Sequence, residues 1–68
     1  MKKTNNTLNF PFAVTNFNEL MGAFPTVDGA MDYLNEMGNK FMREGVKKFN
    51  LTVLGENGEI ISNWGRNR

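Results

Sequence analysis

The side chains that could do acid, base or nucleophile chemistry are few: Asp28, Asp32, Glu36 and Tyr33 close together in the chain, and Ser62 as the sole serine. The chain has no histidine and no cysteine. This removes the usual base near neutral pH, the commonest metal ligand, the thiolate nucleophile and any disulfide staple. Without an imidazole, Ser62 has no activating partner of the familiar kind. Asp28 and Asp32 stand four residues apart and would meet on one face of a helix. A hard divalent cation needs six or more oxygen ligands, and no calcium-loop spacing follows them. The glycines occur singly, in neither of the spacings that cradle phosphate. The sequence therefore predicts no enzyme, no catalytic residue, no metal site and no cofactor.

Two other sets of residues could bind. One is basic. Residues 4–39 carry no lysine or arginine, whereas Lys40, Arg43, Lys47, Lys48, Arg66 and Arg68 gather in the last part of the chain, opposed by Glu44, Glu56 and Glu59. Such a set could hold phosphates in a salt-dependent way with little sequence preference. Stacking of bases would then need exposed aromatics nearby, for which Tyr33, Trp64 and Phe10 or Phe12 are the candidates. The formal net charge is only +1, and an acidic helix face would oppose a polyanion.

The other set is apolar. Six phenylalanines, five methionines and one tryptophan exceed what a single helix against a single sheet face would bury in 68 residues. Methionine adapts to uneven contacts. Phe10, Phe12, Met37, Leu54, Ile61 and Trp64 are the residues this surplus assigns to a protein partner. The expected function is a non-catalytic protein-interaction or regulatory module, a homodimer or the binder of a protein partner, using apolar surface and a sheet edge. The alternative is an accessory protein that binds nucleic acid through Lys40, Arg43, Lys47, Lys48, Arg66 and Arg68.

Positioning these residues requires elements, and periodicity supplies them. Residues 1–7 are polar and are expected to be a flexible segment. From Leu8 to Thr15 apolar and polar residues alternate, a half-buried strand in which Pro11, lacking a donor, implies an edge or a bulge. Asn16 and Glu19 have capping-box spacing, and Phe17, Leu20, Met21 and Phe24 recur at helical intervals, so Asn16–Phe24 is expected to form a short helical turn. The main helix starts at Thr26, a good cap, with Asp28 where the helix dipole favours an anion. Val27, Ala30, Met31, Leu34, Met37, Gly38, Phe41 and Met42 share one side of it. Gly45 is the stop signal, and Gly38 on the apolar side would let a strand backbone approach.

The remaining stretch reads as a hairpin around Asn57-Gly58. A two-residue type I′ turn pairs Gly55 with Ile60, Leu54 with Ile61, Val53 with Ser62 and Leu51 with Trp64, and places Phe49, Leu51, Val53, Ile60 and Trp64 on one face. A three-residue loop with Gly58 in a bulge shifts the register by one. Both stay open at this level. Residues 65–68 are expected to be a basic tail beyond a single domain of residues 8–64.

The expected architecture is α+β in the order β-α-β-β, with one amphipathic helix on a three-stranded, mostly antiparallel sheet and a short helical turn before the helix. No apolar run approaches the roughly 20 residues that cross a bilayer, and Met1-Lys2-Lys3 is followed by polar residues where a secretory leader would be apolar. A cytoplasmic protein is expected.

Overall fold

The computed structural model describes residues 10–67. The elements run β1 (Phe12–Asn16), β2 (Glu19–Phe24), α1 (Val27–Arg43), β3 (Lys48–Leu54) and β4 (Ile60–Asn67). The strands form one four-stranded sheet in the order β2-β1-β3-β4, and every pairing is antiparallel. The helix lies across one side of it. The architecture is ββαββ and not the three-stranded β-α-β-β arrangement, because the segment expected to be a helical turn is a strand.

Local geometry explains that correction. Phe17 and Asn18 both have positive φ, 51° and 69°, as the two central residues of a type I′ turn require. Asn16 and Glu19 pair across the turn and do not cap a helix. Further along, Val14 pairs with Gly22 and Thr15 with Leu20, so Met21 is an extra residue in a β-bulge. A bulge breaks the period of two. Met21 and Phe24 both pack toward the helix, and their spacing imitates one turn of helix.

The helix is delimited as its sequence implies. The Thr26 hydroxyl accepts from the Gly29 N–H at 3.3 Å, which satisfies one of the unpaired first-turn donors. At the other end the Val46 N–H donates to the Phe41 carbonyl at 2.9 Å and the Gly45 N–H to the Met42 carbonyl at 3.2 Å, a Schellman closure with Gly45 at φ 74°. Ala30, Leu34 and Gly38 are its buried residues.

These three meet strand side chains of the same inward parity. Val14, Ala30, Leu34, Phe49, Leu51 and Val53 form the core, and Phe12, Met21, Phe24, Met31, Tyr33, Met37, Phe41, Val46 and Trp64 pack around it. Gly38 has a different neighbour from the one its sequence position implies. A Cβ there would lie 2.7 Å from Cδ2 of Trp64 and closer still to Cε3 and Cζ3, so what approaches the helix is an indole ring and not a strand backbone.

The second hairpin combines both registers allowed by its sequence. The Gly55 N–H donates to the Glu59 carbonyl at 2.8 Å and the Gly58 N–H to the Gly55 carbonyl at 3.0 Å, with Gly58 at φ 83°. This is the three-residue loop. Leu54 then pairs with Ile60, Ile61 is extra, and Val53 returns to Ser62 and Leu51 to Trp64. The loop shifts the pairing by one and the bulge shifts it back. Ile60 consequently leaves the core face and is 69% exposed.

The two hairpins follow one plan. In β1–β2 the register breaks between Val14 and Thr15, and in β3–β4 between Val53 and Leu54. With those breaks superposed, Val14 matches Val53, Asn18 matches Asn57, Glu19 matches Glu59, Met21 matches Ile61 and Phe24 matches Trp64. Phe24 contacts Tyr33, with ring centroids 5.2 Å apart, and Trp64 contacts Phe49 at 6.2 Å. Each outer strand thus contributes one large aromatic residue to the packing around the helix.

β1 lies between β2 and β3, so it is an interior strand and not an edge; Pro11 precedes it. The edges are β2 and β4. β4 continues through Asn67, so Arg66 belongs to a strand. Residues 1–7, Leu8 and Arg68 lie outside the described residues.

Candidate functional site

Among the described residues, no second layer covers the sheet side opposite the helix. Register assigns its residues: Ala23, Ala13, Leu54 and Ile60 make one row, Leu20, Thr15, Thr52 and Asn63 the next, Asn50 and Gly65 a third, and Lys48 with Asn67 the last. The face therefore changes character along the strands, from apolar beside the β3–β4 loop to polar and basic at the opposite end.

The apolar half is exposed. Leu20 is 65% accessible and Ile60 69%, with Ala13 and Leu54 half-buried between them, and Ile61, in the β4 bulge beside Ile60, is 40% exposed. Glu56 and Glu59 stand on its rim, in and beside the loop, where a Glu59 carboxylate oxygen accepts from the Asn57 N–H at 3.1 Å.

The polar half is organised by asparagines. The Asn63 side-chain amide donates to Asn50 Oδ1 at 2.7 Å, the Leu51 carbonyl at 2.9 Å and Thr52 Oγ1 at 3.0 Å. The Asn50 N–H donates to Asn16 Oδ1 at 2.9 Å, and the Phe17 N–H donates to the Asn50 carbonyl at 3.1 Å. The tight turn that carries Phe17 is thereby tied to β3. A cleft of about 550 Å³ lies at this end, lined by Phe17, Lys48, Phe49, Asn50, Gly65, Arg66 and Asn67. Phe17 is 57% exposed there.

The residues expected to bind a protein partner divide between the two sides of the sheet. Phe12, Met37 and Trp64 pack against the core on the helix side, Phe10 precedes β1 and is exposed, Leu54 belongs to the uncovered side, and Ile61 is the extra residue of the β4 bulge, 40% exposed. Of the basic set, Lys40, Arg43, Lys47 and Lys48 are exposed at or beyond the end of α1. Arg66 pairs with Phe49, and its Nη1 donates to Met42 Sδ at 3.3 Å, near the negative end of the helix. Its Nε is shielded from solvent without an acceptor among the described residues.

Of the expected stacking residues, Tyr33 packs on Phe24, Trp64 packs over Gly38 and Phe12 joins the core surround. The exposed aromatic at the basic end is Phe17, which helical spacing had assigned to an interior role. The signal for it lay in the match between the two hairpins, since a second asparagine-bearing turn implies a second loop tip.

Among the described residues no three acidic side chains gather as metal ligands, and no helix is long and apolar enough to cross a membrane. Comparison with family models, with curated proteins and with solved structures finds no match for this chain.

Proposed function

We propose that this small α+β domain is a non-catalytic interaction module that pairs with a second copy of itself through the apolar half of its open sheet face. The observation that carries the reading is the exposure of Leu20 (65%) and Ile60 (69%) on the sheet side that no described helix covers, with Ala13 and Leu54 between them. Exposed apolar groups that are contiguous and rimmed by polar residues are characteristic of interaction surfaces. The patch itself carries no charge, so pairing buries no ion there, and the chain's net charge of +1 gives only weak repulsion between copies. The absence of histidine and cysteine, and the exposure of Asp28, Asp32 and Glu36 on the outer side of the helix, support a role in binding and not in catalysis.

The test is the mass in solution by light scattering at high micromolar concentration. The wild type should give twice the 7.7 kDa chain mass, and Ile60→Lys or Leu20→Lys should return it to one chain while keeping the helical circular dichroism signal. A wild type that stays monomeric at every concentration, with both variants indistinguishable from it, would refute the reading.

A further inference from the structure

We propose that the polar end of the open sheet face is a binding site for single-stranded nucleic acid, with a base stacked on Phe17 and the adjoining phosphate held by Lys48. Three independent features converge there. The first is Phe17 itself. A bulky residue at φ 51° is strained, and asparagine or glycine would fill the position at less cost. Its ring is largely exposed, so burial does not compensate for that strain. Backbone strain at an exposed aromatic beside a cleft is the pattern of a residue kept for contact with something else.

The second is the lining. Lys48 supplies a cation, Asn50 and Asn67 supply planar amides, and Gly65 leaves the floor without a side chain, while the Arg66 guanidinium is turned to Met42 on the helix side. Among the described residues no carboxylate side chain lines the cleft. The third is the charge around it. Lys40, Arg43, Lys47 and Lys48 all belong to the end of the molecule where the helix finishes and β3 begins, so an approaching polyanion meets a concentration of positive charge. Among the described residues Glu19 and Glu44 are the acids at that end, and neither is in the lining. A stacking platform with a nearby cation in a groove is the arrangement by which single strands are held.

The site is separate from the apolar half and does not depend on pairing. The test is fluorescence anisotropy of a labelled mixed-sequence single strand of about twelve nucleotides, titrated with the full chain. Binding is expected at about 50 mM salt, weakening by about 10- to 30-fold at about 250 mM if two or three phosphates are neutralised. Phe17→Asn suits the turn better, so it should raise the unfolding midpoint while weakening binding by about 5- to 100-fold. Lys48→Ala should lower the salt slope by about 0.7. Both variants should keep the wild-type mass in solution, which separates this site from the pairing surface. The proposal is overturned by no binding at the lower salt, by Phe17→Asn binding as tightly as the wild type, or by a duplex of the same sequence binding as well as the single strand, since the last result would reduce the site to charge alone.

Discussion

Gly38 in the helix interior and Gly29 in its first turn are both helical glycines, and the structure predicts opposite outcomes for the same substitution at each. Alanine in place of glycine favours a helix by about 1 kcal/mol. At Gly29 the new Cβ would come no nearer than 3.6 Å to Cδ2 of Phe24 and to Thr26 Oγ1, ordinary van der Waals contact. Gly29→Ala should therefore stabilise the protein by up to about 1 kcal/mol. At Gly38 the Cβ would stand 2.7 Å from Trp64 Cδ2 and nearer to two further ring atoms.

Carbon pairs sit comfortably at about 3.5–4.0 Å, so the indole would have to withdraw by about 1 Å or more. It cannot do so freely, because it packs against Phe49 and its strand is paired with Leu51. Overpacking of this severity falls near the upper end of the usual range of about 1–3 kcal/mol. After the propensity gain, Gly38→Ala should destabilise by about 2 kcal/mol. In a chain of this size that lowers the melting temperature by about 8–16 °C.

Urea unfolding followed by circular dichroism measures both variants, and the single tryptophan reports directly on its own displacement by a red-shifted emission. Shortening the ring in the double variant Gly38→Ala/Trp64→Leu should make the two changes non-additive, with a coupling of about 1 kcal/mol or more. If Gly38→Ala were as stable as Gly29→Ala, the contact between Trp64 and the helix would be refuted, and with it the placement of β4.

Further substitutions test other parts of the fold. Asn63→Ala removes the donor that serves Asn50, Leu51 and the 9% exposed Thr52; a loss of about 1–3 kcal/mol is expected in urea unfolding. Gly45→Ala forces a side chain into φ 74° at the helix stop and should lower stability by about 1 kcal/mol, whereas Gly45→Asn should lower it less, both read from thermal melts. Thr26→Ala removes the cap on the Gly29 N–H and should cost about 1 kcal/mol in the same assay, with Thr26→Ser close to the wild type. Leu34→Ala, in the centre of the core, should lose about 2–5 kcal/mol, enough to leave much of the chain unfolded at room temperature.

The helix and its limits were legible because they rest on local chemistry. Thr26, the apolar stripe from Val27 to Met42, and Gly45 each act within a few residues of themselves. The second hairpin was legible in outline for the same reason, through Asn57-Gly58. The first was misread because two local signals coincided with another element. Asn16 and Glu19 could cap a helix as well as flank a turn, and the bulge at Met21 converted strand alternation into helical spacing. Which strand lies at the edge is not local at all. β1 became interior because Val14 found Val53, a pairing set by the core and not by Pro11. The candidate site suffered accordingly: the cations at the end of α1 were identified, while Phe17, Leu20 and Ile60 were assigned to interior faces.

The central pairing of β1 with β3 also governs the order in which the molecule can be made. Val14 and Val53 meet although they are roughly forty residues apart, a long closure that must be achieved before the buried face exists. The first hairpin and the helix together hold only half of that face, since Phe49, Leu51 and Val53 all arrive with β3. A nascent chain that has not yet delivered β3 would leave Val14, Ala30 and Leu34 against water. Folding is therefore expected to wait for the third strand and then to engage both hairpins in a single cooperative event.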